Sequence, residues 1–216
     1  MMMQRRQALA VFGTAMLGGC NALQYVTNRE PPTLFELTPK TTFDESLPRT
    51  GSAIVIDAPT ATAGLNTARI ALRPDATRLE YYANAIWVDV VPVMVQNLLT
   101  ESLDSTDRVD ALSPMEASGI RANYSLRMYI REFQAEYDEG TDKPPMVHVN
   151  TEVRLLDMPR RDSLATVSFE QFERSKGTSI SEVVLAYDEA LGKVLKRLVD
   201  WTIKSIITAN EAGSTD

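Results

Sequence analysis

Few residues in this chain have side chains that can do chemistry, and the most telling is its single cysteine. Cys20 follows Leu17-Gly18-Gly19, and upstream stand Arg5, Arg6 and an apolar run from Ala8 to Leu17. A charged start, a short apolar stretch and small residues before a cut form an export signal. A cysteine directly after two glycines makes it a bacterial lipoprotein signal. Its thiol is the nucleophile that takes up the lipid, and the small residues fit a narrow peptidase groove. Acyl chains on the new N-terminus then hold a domain to a bilayer at roughly 0.8 kcal/mol per buried methylene. Cys20 is therefore the expected lipidation site, and residues 1–19 are expected to be removed. Arg5-Arg6 serves as a positive n-region and also fits a twin-arginine export signal. Asn21, rather than an aspartate, follows the cysteine, which favours the outer membrane and a domain on the periplasmic side.

The other reactive types are sparse. His148 is the only histidine and falls on the polar parity of a strand, so it reads as solvent-facing. A Ser-His-Asp set would have to use it, and no nucleophile elbow is present. With one histidine and the thiol consumed by lipid, no transition-metal site is expected. No Gly-rich loop follows a strand, so no nucleotide cofactor is expected. Asp138-Glu139 and Asp188-Glu189 are carboxylate pairs, but in a chain with 29 acidic residues they read as solvated faces. The expectation is a protein that is not an enzyme and has no catalytic, cofactor or metal residues. Tyr81, Tyr82 and Trp87 form an aromatic cluster with two readings. One is hairpin or core packing; the other is contact with a partner, where aromatics are enriched.

Charge narrows the partners. Removing residues 1–19 takes away Arg5 and Arg6 and moves the net charge from −7 to −9. Phosphate binding is driven by cationic side chains, so nucleic acid is excluded as a partner, as is a polybasic membrane-hugging surface. The signal's apolar run is shorter than the about 20 residues that span a bilayer. No later stretch reaches that length.

These residues must be positioned by a regular domain. Residues 20–32, ending in Asn28-Arg29-Glu30-Pro31-Pro32, read as the lipidated N-terminus and a tether. Residues 33–208 are the expected single domain, and 209–216 a frayed, disordered tail. Strands are expected at 33–37 and 52–58, where Ile54-Val55-Ile56 is a β-branched run. A hairpin is expected over 68–87, turning at Arg73-Pro74-Asp75-Ala76. Asp89 is the expected N-cap of a helix whose stripe includes Val91, Val95, Leu98 and Leu99. Tyr124 to Tyr137 alternates with one slip in phase, which predicts a β-bulge between Arg131 and Glu132. Val147 to Leu155 alternates cleanly, and Ala165, Val167 and Phe169 continue an antiparallel meander with one buried face. Ser179-Ile180-Ser181-Glu182 is a capping box opening a long helix to about Thr208.

The motifs resemble a known family. Phe35-Glu36-Leu37-Thr38-Pro39 is followed by Ile54-Val55-Ile56-Asp57-Ala58-Pro59 and Arg69-Ile70-Ala71. Leu79 to Trp87 then leads into the helix that opens Val91-Pro92-Val93-Met94-Val95-Gln96. This series is similar to the ABC-type transport auxiliary lipoproteins, the PqiC-like group. Phe35 stands where the family shows tyrosine, and Val88 where alanine is common. The resemblance implies an α/β sandwich, a mixed and mostly antiparallel sheet with two main helices packed on it. It also implies a noncatalytic accessory to an MCE-domain protein, a permease and an ATPase that move lipids or hydrophobic compounds. Only Cys20 carries over as a functional residue. A homo-oligomer is a candidate assembly. The alternatives are an activator of a cell-wall enzyme, a lipoprotein of unrelated envelope-assembly role, and a lipoprotein enzyme.

Overall fold

The computed structural model describes residues 31–43 and 46–213. Cys20, the signal and the tether up to residue 30 lie outside the described residues, as does the end of the expected tail, 214–216. In chain order the elements are β1 Thr33–Phe35, β2 Ala53–Ile56, β3 Thr60–Ala61, β4 Arg69–Asp75, β5 Arg78–Trp87, α1 Val91–Asp104, β6 Asp110–Leu112, β7 Tyr124–Glu136, β8 Met146–Asp157, β9 Ser163–Arg174 and α2 Ile180–Gly213. The fold is α/β: an open mixed sheet of nine strands with two helices.

The longest ladders are antiparallel. β8 pairs with β7 along one side and with β9 along the other. The short ladders are parallel: β1 with β5, β2 with β6, and β2, β3 and β4 each with β7. β7 therefore gives one edge wholly to β8 and divides the other among three strands. Its register with β8 shifts between Ile130 and Glu132, with Arg131 the extra residue, where the phase of the sequence slips. A bulge lets Leu126, Met128 and Ile130 share a face with Phe133 and Ala135 although their parities differ.

Both helices pack on that face, and one continuous apolar cluster joins sheet, α1 and α2. At its centre Trp87, Phe133 and Tyr187 meet with ring centroids 5.1–6.1 Å apart. The Tyr187 hydroxyl is buried and donates to the carbonyl of Ala71 at 2.8 Å. That bond matters because an unpaired buried hydroxyl costs about 1–3 kcal/mol.

The helix starts differ. α2 opens with the expected capping box: the Glu182 N–H meets Ser179 Oγ at 3.4 Å and the Ser179 N–H meets Glu182 Oε2 at 3.3 Å. α1 is not capped by Asp89. Its N-cap is Val90 in extended conformation, with no side-chain cap, and Asp89 Oδ1 instead accepts the Val90 N–H at 2.7 Å. The reason is a shortage of orphan donors. The Val91 N–H goes to the Thr67 carbonyl at 3.1 Å, and Pro92 has no N–H to satisfy.

α2 also runs beyond Thr208, through Gly213, for 34 residues or roughly 51 Å by the helical rise. Its last turns are fastened to the sheet. Asn210 accepts from the Tyr124 hydroxyl at 2.7 Å and donates to the Thr50 carbonyl at 3.1 Å. Among the described residues no helix is long and apolar enough to cross a membrane.

Candidate functional site

Of the residues singled out in the sequence, Cys20 lies outside the described residues. The aromatic cluster divides. Trp87 is 1% exposed and sits at the centre of the core, so the partner-contact reading is corrected for it. The last residue of β5 faces the helices, where Tyr187 and Phe133 close around its ring. Tyr81 and Tyr82 are half-buried. The Tyr81 hydroxyl donates to Gly64 O at 3.0 Å, and the Arg69 guanidinium lies 3.7 Å above its ring. The Tyr82 hydroxyl pairs with that of Tyr137 at 2.9 Å. Burial first, and then that hydrogen bond, push Tyr82 far above the ordinary tyrosine range.

His148 is also corrected. It does lie on the polar parity of β8, but its side chain is only 12% exposed. Cross-strand register explains this. His148 sits opposite Gln134 of β7 and Phe172 of β9. Its ring stacks on Phe172 with centroids 4.1 Å apart. Nδ1 lies 2.9 Å from Glu136 Oε1 and Nε2 lies 2.8 Å from Glu170 Oε1. Asn150 Nδ2 donates to the same Glu170 oxygen at 2.9 Å. These two bonds, the histidine's first, hold the Glu170 carboxyl below the usual glutamate range.

Beneath the histidine, Gln134 is fully buried. Its amide donates to Glu132 Oε2 at 2.7 Å and Glu136 Oε1 at 2.9 Å, drawing the two carboxylates together. Arg73 reaches Glu132 at 3.4 Å from β4. One ligand-type atom from each of Glu132, Glu136 and His148 falls within 4.8 Å of the other two. Sequence reading missed this gathering. The signal available was Glu132-x-Gln134-x-Glu136 on one face of a strand, which becomes a cluster only once β8 is laid beside it in register.

The same open face carries Arg131 paired to Glu152, and Arg127 to Asp57 at 3.1 Å. At its rim lies β9, which pairs with β8 alone. Two carbonyls of β9 are met by side chains: Glu170 O by Arg197 Nη2 at 2.8 Å and Phe172 O by Gln171 Nε2 at 3.0 Å. Leu164 and Phe172 stand 40% and 47% exposed along it.

Helices on one face, a hydrogen-bonded charge lattice on the other and a long strand at the rim make up this α/β domain. A solved structure, protein XCC0632 from Xanthomonas campestris, is similar with a TM-score of 0.76. The two are 21% identical, and the match covers 85% of this chain and 99% of that one, a likeness of fold. A crystal structure of an uncharacterized protein is similar at a TM-score of 0.56 and 13% identity, covering 83% and 99%. The uncharacterized protein bll6063 of Bradyrhizobium diazoefficiens is 28% identical over 156 residues. That is 72% of this chain and 40% of the relative, so the chain spans well under half of that protein's length. The model of the ABC-type transport auxiliary lipoprotein component family matches residues 34–199, and the chain belongs to that family. It is a family of auxiliary lipoprotein components of ABC-type transport.

Proposed function

We propose that the mature chain, acylated at Cys20, is a docking accessory of an envelope system that moves lipids or other hydrophobic compounds. Its partners on this reading are an MCE-domain protein, a permease and an ATPase. Asn21 favours the outer membrane as the anchor. The observation that carries the docking mode is the rim of the meander: β9 is twelve residues long and pairs on one side only. Once Arg197 and Gln171 give up the Glu170 and Phe172 carbonyls, this edge offers backbone hydrogen bonds to an incoming strand, and exposed side chains beside it supply specificity. Leu164 and Phe172 are those side chains. A tether of about a dozen residues keeps this edge near the bilayer and raises its effective concentration for a membrane-bound partner. Work of this kind suits a system whose cargo would otherwise expose methylenes to water at roughly 0.8 kcal/mol each.

The test places a photo-crosslinking residue at Leu164, at Phe172 and, as a control, at Lys204 on α2. Crosslinks from the first two positions to a transport subunit, and none from Lys204, are expected. Cys20→Ser should block processing by the lipoprotein peptidase and weaken rescue of a deletion strain exposed to detergent. Crosslinks to a cell-wall enzyme instead would replace the transport reading with the activator.

A further inference from the structure

We infer that, away from its transport partner, the chain closes its open edge with a second copy of itself. β9 then pairs antiparallel with β9 of the partner subunit about a two-fold axis at Ser168. The inference rests on the edge invoked for docking, and a transport subunit would displace the second copy there. Among the described residues β9 has one neighbouring strand, β8. Its outward backbone groups can be identified from their bonds. Side chains, not β8, meet the carbonyls of Glu170 and Phe172. In an antiparallel ladder both backbone groups of a residue point to the same side, and successive residues alternate. Thr166, Ser168, Glu170 and Phe172 therefore present N–H and C=O outward. An axis at Ser168 sets residues of this outward set against one another, as a new ladder requires.

Side chains select that register independently. With the axis at Ser168, Leu164 stands opposite Phe172 of the partner subunit, and Phe172 opposite the partner's Leu164. These are the exposed large apolar residues of the strand. The stack on His148 already fixes the Phe172 ring. Leu164 is the extra residue of a bulge against β8, so it has no partner on that side. On the covered face Val167 meets Phe169 of the partner subunit. Glu170 faces the partner's Thr166, so no like charges are opposed. Moving the axis to Val167 or Phe169 sets Leu164 against the partner's Glu170 or the partner's Arg174. Moving it to Thr166 or Glu170 sets Glu170 against the partner's Asp162 or the partner's Glu170, and like charges directly opposite are destabilising. The strand thus matches itself in one register. Arg197 and Gln171 compete for two of the carbonyls, which keeps the pairing reversible and open to exchange.

The full chain in detergent, with no transport subunit present, is followed by sedimentation velocity over a series of concentrations. A reversible monomer–dimer equilibrium is expected. Leu164→Asp, which sets an acid against the partner's Phe172, should weaken it roughly tenfold or more. Val88→Asp, the same kind of change at an exposed residue after β5, should leave it unchanged. Arg197→Ala, which frees the Glu170 carbonyl, should tighten it. Register is tested with single cysteines and a mild oxidant, the parent serving as the control for Cys20. Ser168→Cys should form a disulfide-linked dimer, since opposed residues of a hydrogen-bonded pair stand about 5.5 Å apart at Cα, within disulfide reach. Thr166→Cys and Glu170→Cys should each remain monomeric alone and crosslink when mixed. A monomer at every concentration, or crosslinking by Thr166→Cys alone as readily as by Ser168→Cys, would overturn the dimer. Because transport subunits are absent from this test, its failure and that of the docking reading are separate events.

Discussion

Along β8, Val147, Val149, Thr151, Val153 and Leu155 face the helices and are buried, while His148, Asn150, Glu152 and Arg154 face away. The covered face is held by area. Each apolar side chain contributes about 1.5–3 kcal/mol through removal from water, and no member needs a particular neighbour's charge. The open face is held by register. Glu136, His148 and Glu170 meet as diagonal neighbours on three strands in fixed register, and Arg131 reaches Glu152 from the bulge, where it has no register partner of its own. The first face tolerates exchange of one apolar shape for another. The second depends on identity and alignment.

Substitutions can break or sharpen this contrast. The largest loss is expected from Trp87→Ala at the centre of the covered face, about 3–5 kcal/mol in a chemical denaturation experiment. Leu195→Ala on α2, fully buried, should cost about 2–5 kcal/mol. Lys196→Ala, its exposed neighbour, should stay within about 0.5 kcal/mol. Equal effects at 195 and 196 would mean that the helix is not part of the core. On the open face Arg131→Ala removes a half-exposed ion pair and should cost only about 0.2–1 kcal/mol.

The smallest effect is a matter of pH. Arg174 grips Asp138 through two nitrogens at 2.7 and 2.8 Å, and those hydrogen bonds hold the Asp138 carboxyl below the usual aspartate range. A depressed carboxylate stabilises the fold above its ordinary value of 3.8 and loses that contribution as pH falls below it. The melting temperatures of the parent and of Asp138→Asn should therefore differ at neutral pH and converge on acidification. A gap that widened toward low pH would reverse the sign.

How much of this was legible depends on period. β8 alternates without a slip, so its buried face could be read directly, and the phase slip in β7 located the bulge at Arg131. Ser179 and Glu182 announced the start of α2. Strands of two or three residues have no period, and β3 and β6 left no trace in the sequence. The end of α2 was missed because Asn210 is polar; what retains it is a hydrogen bond to Tyr124, 86 residues away. Trp87 was ambiguous because an aromatic at a strand end serves a core or a surface equally well. His148 was misplaced for a different reason. Parity tells which face a residue is on, and it is silent on whether Phe172 and two glutamates will close around the ring.

The divided edge of β7 has a consequence in time. Residues 124–213 hold β7, β8, β9 and α2 in an unbroken run, so their contacts close through short turns. β2, β3 and β4 have nowhere to pair along that edge until β7 exists. Ala53 and Asn123, joined at 3.1 Å, are 70 residues apart, and Thr38 binds Asp188 from 150 residues away. Distant pairings form late, since closing a long loop costs entropy before any contact repays it. A chain delivered N-terminus first thus makes its parallel strands well before their template arrives. During that interval the β-branched Ile54-Val55-Ile56 has only the three-residue β6 to pair with. The order of synthesis thus runs against the order in which the distant parallel pairings with β7 can close.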